Sequence, residues 1–269
     1  MEDQPIGIFD SGLGGLTVVK EVMDHLPHES IIYFGDTARV PYGNKSKQTV
    51  TKFSAQIIRF LQSKGVKAII IACNTVSSNS IEDLRAMFPQ IPIEGVVEPG
   101  VKMALEKTQT GRIGIIGTEA TIRSNKYPSL IKEVHPEAQV FSQSCPLFVP
   151  LVEDNWVHHP ATRMIAKEYL TPLLNKGIDT LILGCTHYPI LAEVIQDVAG
   201  KDTILVNPAQ EAAYKIEEVL KKRDELSAGK IAPAYEFYVS DHTTQFEQMA
   251  KEFLNTPMNN VEKIDIEGN

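Results

Sequence analysis

The sequence predicts an α/β protein in which parallel strands are joined by covering helices, and three observations carry that expectation. Short β-branched runs alternate with amphipathic segments along the chain. Most of these runs are too apolar to have a wet face, as happens when helices cover both sides of a sheet. The 269 residues are 43% apolar, enough for one large domain or two small ones with a substantial core.

In chain order the expected strands are "PIGIF", "SIIYFG", "KAIIIA", "IPIEGVV", "RIGIIG", "AQVFS", "DTLILG" and "DTILV". After the second of them, "TVTKFSAQIIRFLQSKG" sets Val50, Phe53, Ile57, Ile58 and Leu61 on one helical face, and Gly65 is placed to end that helix. Such a helix returns the chain for the next parallel strand. "YEFYVSD" and "TTQFEQMAKEFL" read as a further strand and its covering helix, and the charged stretch from Lys221 to Lys230 as a solvated helix end or loop.

Two segments echo one another. "KGVKAIIIACNTVS" and "KGIDTLILGCTHYP" each end an apolar run in a cysteine, Cys73 and Cys185, at a constant offset of 112 residues. A fainter match pairs Ile6-Gly7-Ile8 with Ile113-Gly114-Ile115. Short apolar strands also resemble one another by chance, but together the matches suggest two homologous halves. Open α/β sheets bind ligands at the carboxyl edges of their strands. Two such edges facing each other would form a cleft with one thiol on each wall.

Charge and composition narrow the function classes. Lys and Arg total 26 against 34 for Asp and Glu, a formal charge of −8, so a nucleic acid is not the expected partner. The N-terminal "MEDQPIGIFD" lacks the features of a secretory signal, and no apolar run approaches a membrane span; the expected location is the cytoplasm. Cys73, Cys145 and Cys185 form no CxxC pair, which argues against a disulfide framework or a structural zinc site.

A cysteine in an apolar strand is ordinarily a small buried hydrophobe. Cys73 and Cys185 differ in sitting after the run, at an expected helix start, where free N–H groups favour the thiolate. Each is also followed by hydrogen-bonding side chains, Asn74 and Thr75 or Thr186 and His187. Cys145, in "SQSCPLFVP", has no matching partner and reads as structural. Two opposed thiols suit inversion at a carbon acid, which needs a base on one face and an acid on the other.

Other segments are less specific. In "FDSGLGGLTVV" the glycines Gly12, Gly14 and Gly15 miss the dinucleotide pattern because Thr17 takes its last position, and no lysine completes a P-loop. Asp10 and Ser11 at that strand tip read as an exposed carboxylate and hydroxyl able to position an ammonium group. "GDTARVPYGNKS" gathers Asp36, Arg39, Tyr42 and Asn44 in a loop too polar for a core element.

Together "GIFDSGLGGLTV", "YFGDTARVPYG", "ACNTVS", "GTEATIRS" and "GCTHYPIL" resemble the glutamate racemases of the aspartate/glutamate racemase superfamily, in family order and over nearly the whole chain. The resemblance implies two flavodoxin-like, doubly wound α/β domains related by a pseudo-two-fold axis, with the active site in the cleft between them. It divides the chain into a discontinuous first domain, residues 1–97 plus 208–269, and a second, 98–207. It implies cofactor-independent interconversion of L- and D-glutamate, with no metal, supplying D-glutamate for peptidoglycan, and a homodimer.

By that resemblance Cys73 deprotonates D-glutamate and Cys185 the L form. Asp10 and His187 assist Cys73 and Cys185 respectively, and Glu153 in "PLVEDNW" is a further acidic helper. Asp10, Ser11, Tyr42, Gly43, Asn74, Thr75, Thr118, Thr121, Thr186 and His187 are the implied substrate contacts. Three other readings stay open at this level: an aspartate racemase of the same superfamily, a cysteine hydrolase using Cys185 and His187, and a small-anion binding module. Against the hydrolase, residues adjacent along a turn need not face each other.

Overall fold

In the computed structural model, residues 3–241, 244–254 and 261–266 are described; Thr243 of the expected last helix lies outside them. Among these residues the strands are β1 (Ile6–Asp10), β2 (Ile31–Gly35), β3 (Ala68–Ile71), β4 (Ile93–Gly95) and β5 (Arg112–Gly117). They continue with β6 (Gln139–Ser144), β7 (Thr180–Gly184), β8 (Ile204–Val206), β9 (Tyr235–Val239) and β10 (Val261–Lys263). The fold is α/β, with two sheets whose pairings are all parallel.

The first sheet runs β10-β9-β2-β1-β3-β4 and the second β6-β5-β7-β8. The segments β2-β1-β3-β4 and β6-β5-β7-β8 have the same order, so the sequence echo is an echo of topology. Ile6-Gly7-Ile8 and Ile113-Gly114-Ile115 fall in the equivalent strands β1 and β5. Cys73 and Cys185 follow the equivalent strands β3 and β7.

β1, β2, β3 and β7 are buried along their whole lengths, which explains their near-continuous Ile, Leu and Phe. Each sheet has a core on both faces. In the first, Ile6, Ile8 and Ile70 face one core while Phe9, Ile69 and Ile71 face the other. In the second, Ile116 and Leu183 face one while Ile113, Ile115 and Ile182 face the other. The expected helix forms as Lys47–Ser63, capped by Ser46 Oγ accepting from the Thr49 N–H, and Gly65 follows it at φ +77°.

Three expectations change. "IPIEGVV" is a strand only over β4; Val97 already begins the helix Val97–Lys107, whose Pro99 falls in the first turn, where a missing N–H costs nothing. β10 was not foreseen, because three residues of "VEK" carry no apolar alternation. The stretch after the helix Pro208–Arg223 is not simply solvated. Glu225 is buried, its carbonyl accepts from Lys67 Nζ at 2.8 Å, and Lys67 pairs with the buried Glu29 at 2.6 Å. Among the described residues no helix is long and apolar enough to cross a membrane.

One carboxylate ties down the amino-terminal edge of the second sheet. Asp179 accepts from the Thr108 hydroxyl, from the N–H groups of Gln109 and Thr110, and from the Thr110 hydroxyl, all at 2.6–2.8 Å. Burial alone would raise its pKa, but these donors outweigh it and hold the group at about 2, below the ordinary 3.8. A depressed folded pKa means that the stabilisation is present above the unfolded value and is lost as the pH falls toward 2. Asp179→Ala is therefore expected to cost about 1 kcal/mol at neutral pH, the site being solvent-screened. Urea titrations of both proteins should show the difference shrinking between about pH 4 and pH 2.

Candidate active site

The shared strand order puts a switch point at the carboxyl edge of each sheet, between β1 and β3 in one and between β5 and β7 in the other. At the first, β1 ends in Asp10. Its Oδ2 accepts from the N–H groups of Gly12 at 3.1 Å and Gly15 at 3.0 Å, folding the glycine turn back on the strand tip. Asp10 is fully buried, so the expectation of an exposed carboxylate is corrected. Burial raises its pKa, against the lowering effects of His187 and the turn N–H groups. Its Oδ1 accepts from the Thr186 hydroxyl at 3.4 Å, joining the two halves.

The glycines are explained by crowding, with no nucleotide required. A Cβ on Gly14 would stand 2.3 Å from Thr186 Oγ1 and 2.6 Å from His187 Nδ1; one on Gly15 would stand 2.4 Å from the Asp10 Cβ. Thr17 adds a hydroxyl that donates to the Gly14 carbonyl at 2.8 Å and approaches that of Thr186 at 3.3 Å. The turn thus packs directly on the turn that carries Cys185.

Cys73 follows β3 and stands at the N-terminus of the short helix Asn74–Asn79. Its thiol donates to Ser11 Oγ at 3.6 Å. Burial, then the nearby Asp10 charge, push its pKa up to about 12, against the Val76 N–H and the Ser11 hydroxyl. Burial thus outweighs the helix-start donors that were expected to favour the thiolate.

Cys185 follows β7. Its Sγ lies 3.8 Å from His187 Nδ1, and His187 Nε2 lies 3.1 Å from Glu153 Oε1, on the helix Phe148–Glu153. The objection that turn neighbours need not face each other therefore falls. For His187, burial alone would lower the pKa, but the adjacent Cys185 and Glu153 outweigh it and push it up to about 10. Cys145 is fully buried, its thiol 3.8 Å from the Gln143 carbonyl, and burial raises its pKa; it packs in a core, as expected.

Cys73 and Cys185 line the same narrow cavity. Ser11, Tyr42, Gly43, Cys73, Asn74 and Thr75 line it from the first sheet's side. Thr118, Glu153, Cys185, Thr186 and His187 line it from the second. Asp10 and Thr121 stand behind this wall. Thr121 is buried, 3.0 Å from the Thr118 hydroxyl and 3.4 Å from that of Thr75, which itself reaches Thr118 at 3.0 Å.

The loop bearing Tyr42 is held from behind. Asp36, fully buried, accepts from Arg39 Nε, the Tyr42 hydroxyl and, at 2.8 Å, Ser240 Oγ. The Tyr42 hydroxyl is thereby turned to Asp36. Sequence reading missed Val40, Pro41 and Val149, which also line the cavity. The first two lie inside the loop already singled out; Val149 sits in an apolar helix and carries no signal. Among the described residues no cluster of His, Cys, Asp and Glu could hold a metal ion.

Known proteins resemble the chain in sequence and fold. The family described as Asp/Glu/hydantoin racemase matches residues 16–215. A glutamate racemase of Syntrophus aciditrophicus is 46% identical over 265 residues, 98% of each chain. A crystal structure of glutamate racemase from Francisella tularensis in complex with D-glutamate superposes with a TM-score of 0.93 at 40% identity, covering 100% of both chains. One from Thermus thermophilus, in complex with β-chloro-D-alanine, gives 0.88 at 37% identity over 100% of this chain and 99% of its own. With sequence and fold in agreement along almost its full length, the chain belongs to the Asp/Glu/hydantoin racemase family.

Proposed function

We propose that the protein is a glutamate racemase that interconverts L- and D-glutamate without a cofactor, using Cys73 and Cys185 as the two proton carriers. The observation that carries this reading is one thiol from each sheet, at equivalent strand ends, on a single cavity. The closely similar relatives favour glutamate over aspartate as the substrate. Supply of D-glutamate for peptidoglycan, a cytoplasmic location and a homodimer complete the reading. So does the division of the chain into residues 1–97 plus 208–269 and residues 98–207.

In the direction from D-glutamate, the Cys73 thiolate takes the α-hydrogen and the Cys185 thiol returns a proton to the opposite face; the roles exchange in reverse. The substrate ammonium supplies a positive charge that offsets the burial keeping Cys73 protonated. Ser11, Asn74, Thr75 and Thr186 offer donors for the carboxylates, whose charge grows as the α-carbon becomes carbanion-like. Asp10 acts from behind through the Ser11–Gly15 turn and Thr186. His187, whose pKa Cys185 and Glu153 raise, serves as the proton partner of Cys185, oriented by Glu153.

Glu153→Gln removes one of the two groups that raise the His187 pKa. The basic limb of the pH profile with L-glutamate is expected to move toward neutrality by about one unit. An unchanged profile would remove Glu153 from the relay.

The Cys185–His187–Glu153 chain also favours a second reading, a cysteine hydrolase, which leaves Cys73 without a task. Incubation with L-glutamate in D₂O separates them. Deuterium at the α-carbon with loss of optical rotation supports the racemase. Exchange with aspartate alone moves the substrate, and no exchange with either leaves the hydrolase or an anion binder.

A further inference from the structure

Asn74 follows Cys73 directly, and its side chain lines the cavity. Its Oδ1 lies 2.7 Å from the hydroxyl of Tyr127, which reaches over from the helix Lys126–Val134 beside the second sheet. Tyr127 is 1% exposed, and Asn74 is its hydrogen-bond partner among the described residues. A phenol has one proton to give. With the amide turned over, Nδ2 would donate to the phenol oxygen and strand the phenol's own proton in a buried site. Tyr127 therefore donates, Oδ1 accepts, and Nδ2 points elsewhere. Nδ2 donates to no described residue and is not among the buried unsatisfied atoms, so it opens on the cavity.

The Tyr127 ring is buried in the core beside the second sheet. Ring atoms lie 3.5 Å from where a Cβ on Gly184 would stand and 3.6 Å from the same point on Gly100. Gly184 is the residue before Cys185. One rigid side chain thus backs the turn of one thiol with its ring and the turn of the other with its hydroxyl.

We propose that Tyr127 is a positioning residue that locks the Asn74 amide with its N–H groups toward the cavity, so that this wall accepts a carboxylate. The inference rests on the glutamate reading above, in which Asn74 meets the substrate. A fixed donor pair spares the enzyme the cost of orienting the amide at each binding event. Because the Tyr127 hydroxyl only fixes the amide ahead of binding, a cost otherwise met on forming the ground-state complex, its loss falls on KM rather than kcat.

Tyr127→Phe keeps the ring and removes only the hydroxyl. KM for both enantiomers is expected to rise about five- to tenfold, with kcat within about twofold of the parent. In an Asn74→Ala background the same change should add nothing, since Tyr127 acts through Asn74. Calorimetric dissociation constants for D-glutamate, measured on the parent, both single variants and the double variant, should show the same pattern without turnover. The inference is overturned if Asn74→Ala weakens binding while Tyr127→Phe does not, if Tyr127→Phe lowers kcat at constant KM, or if the two effects add in full. An Asn74→Ala variant that binds like the parent overturns the placement of Asn74 against substrate, and the Tyr127 role with it. A parent that binds D-glutamate but fails to racemise it would overturn the proposed activity alone.

Discussion

Cys73→Ala is expected to lose racemisation in both directions by about 10²- to 10⁴-fold, the scale of a positioned proton carrier. It should keep one half of the chemistry. With Cys185 still in place, L-glutamate in D₂O should exchange its α-hydrogen and return as L-glutamate, because one base restores the proton to the face it came from. Cys185→Ala should show the mirror result, exchange confined to D-glutamate. Each thiol sits at the end of a fully buried strand, so the loss of one Sγ leaves the sheets intact. Normal turnover in either variant would falsify the two-base scheme. Exchange of both enantiomers by one variant would replace it with a single mobile base.

Gly14→Ala ranks next in expected effect. The added methyl would stand 2.3 Å from Thr186 Oγ1 and 2.6 Å from His187 Nδ1, the nitrogen that faces Cys185 Sγ. Neither neighbour is the far end of a flexible chain, and both are buried. The two turns must therefore part by something on the order of 1 Å, a misplacement that costs about a hundredfold in rate. Overpacking at this contact should also cost about 1–3 kcal/mol of stability. Steady-state kinetics and a thermal melt separate the two components. A variant with more than about half the parent kcat would show that the turns have slack.

How much of this was legible in the sequence depended on burial. Strands such as Ala68–Ile71 were plain because a strand covered on both faces must be apolar throughout. The three-residue β10 has no such requirement and left no trace. At the site, the cysteines stood out because their setting occurs twice. The depth of Asp10 did not: a carboxylate after a strand reads as exposed until one sees that the glycine N–H groups and Thr186 surround it. Nor could local sequence bring Glu153 to His187, 34 residues on, since only the packing of the helix Phe148–Glu153 does so. Tyr127 was invisible for another reason. A tyrosine in an amphipathic helix reads as core, and its ring is core; only the hydroxyl reaches the site.

The burial of the three cysteines has a chemical corollary. Cys73 and Cys185 are 5% and 6% exposed and share one mouth, whereas Cys145 is closed off within a core. A small alkylating reagent can reach the first two only by the route that substrate takes. Their labelling rate thus becomes a clock for the opening of that mouth, and a saturating ligand should stop it. Cys145 keeps a slower clock, that of unfolding, so one mass spectrum taken over time reads both motions in the same molecule.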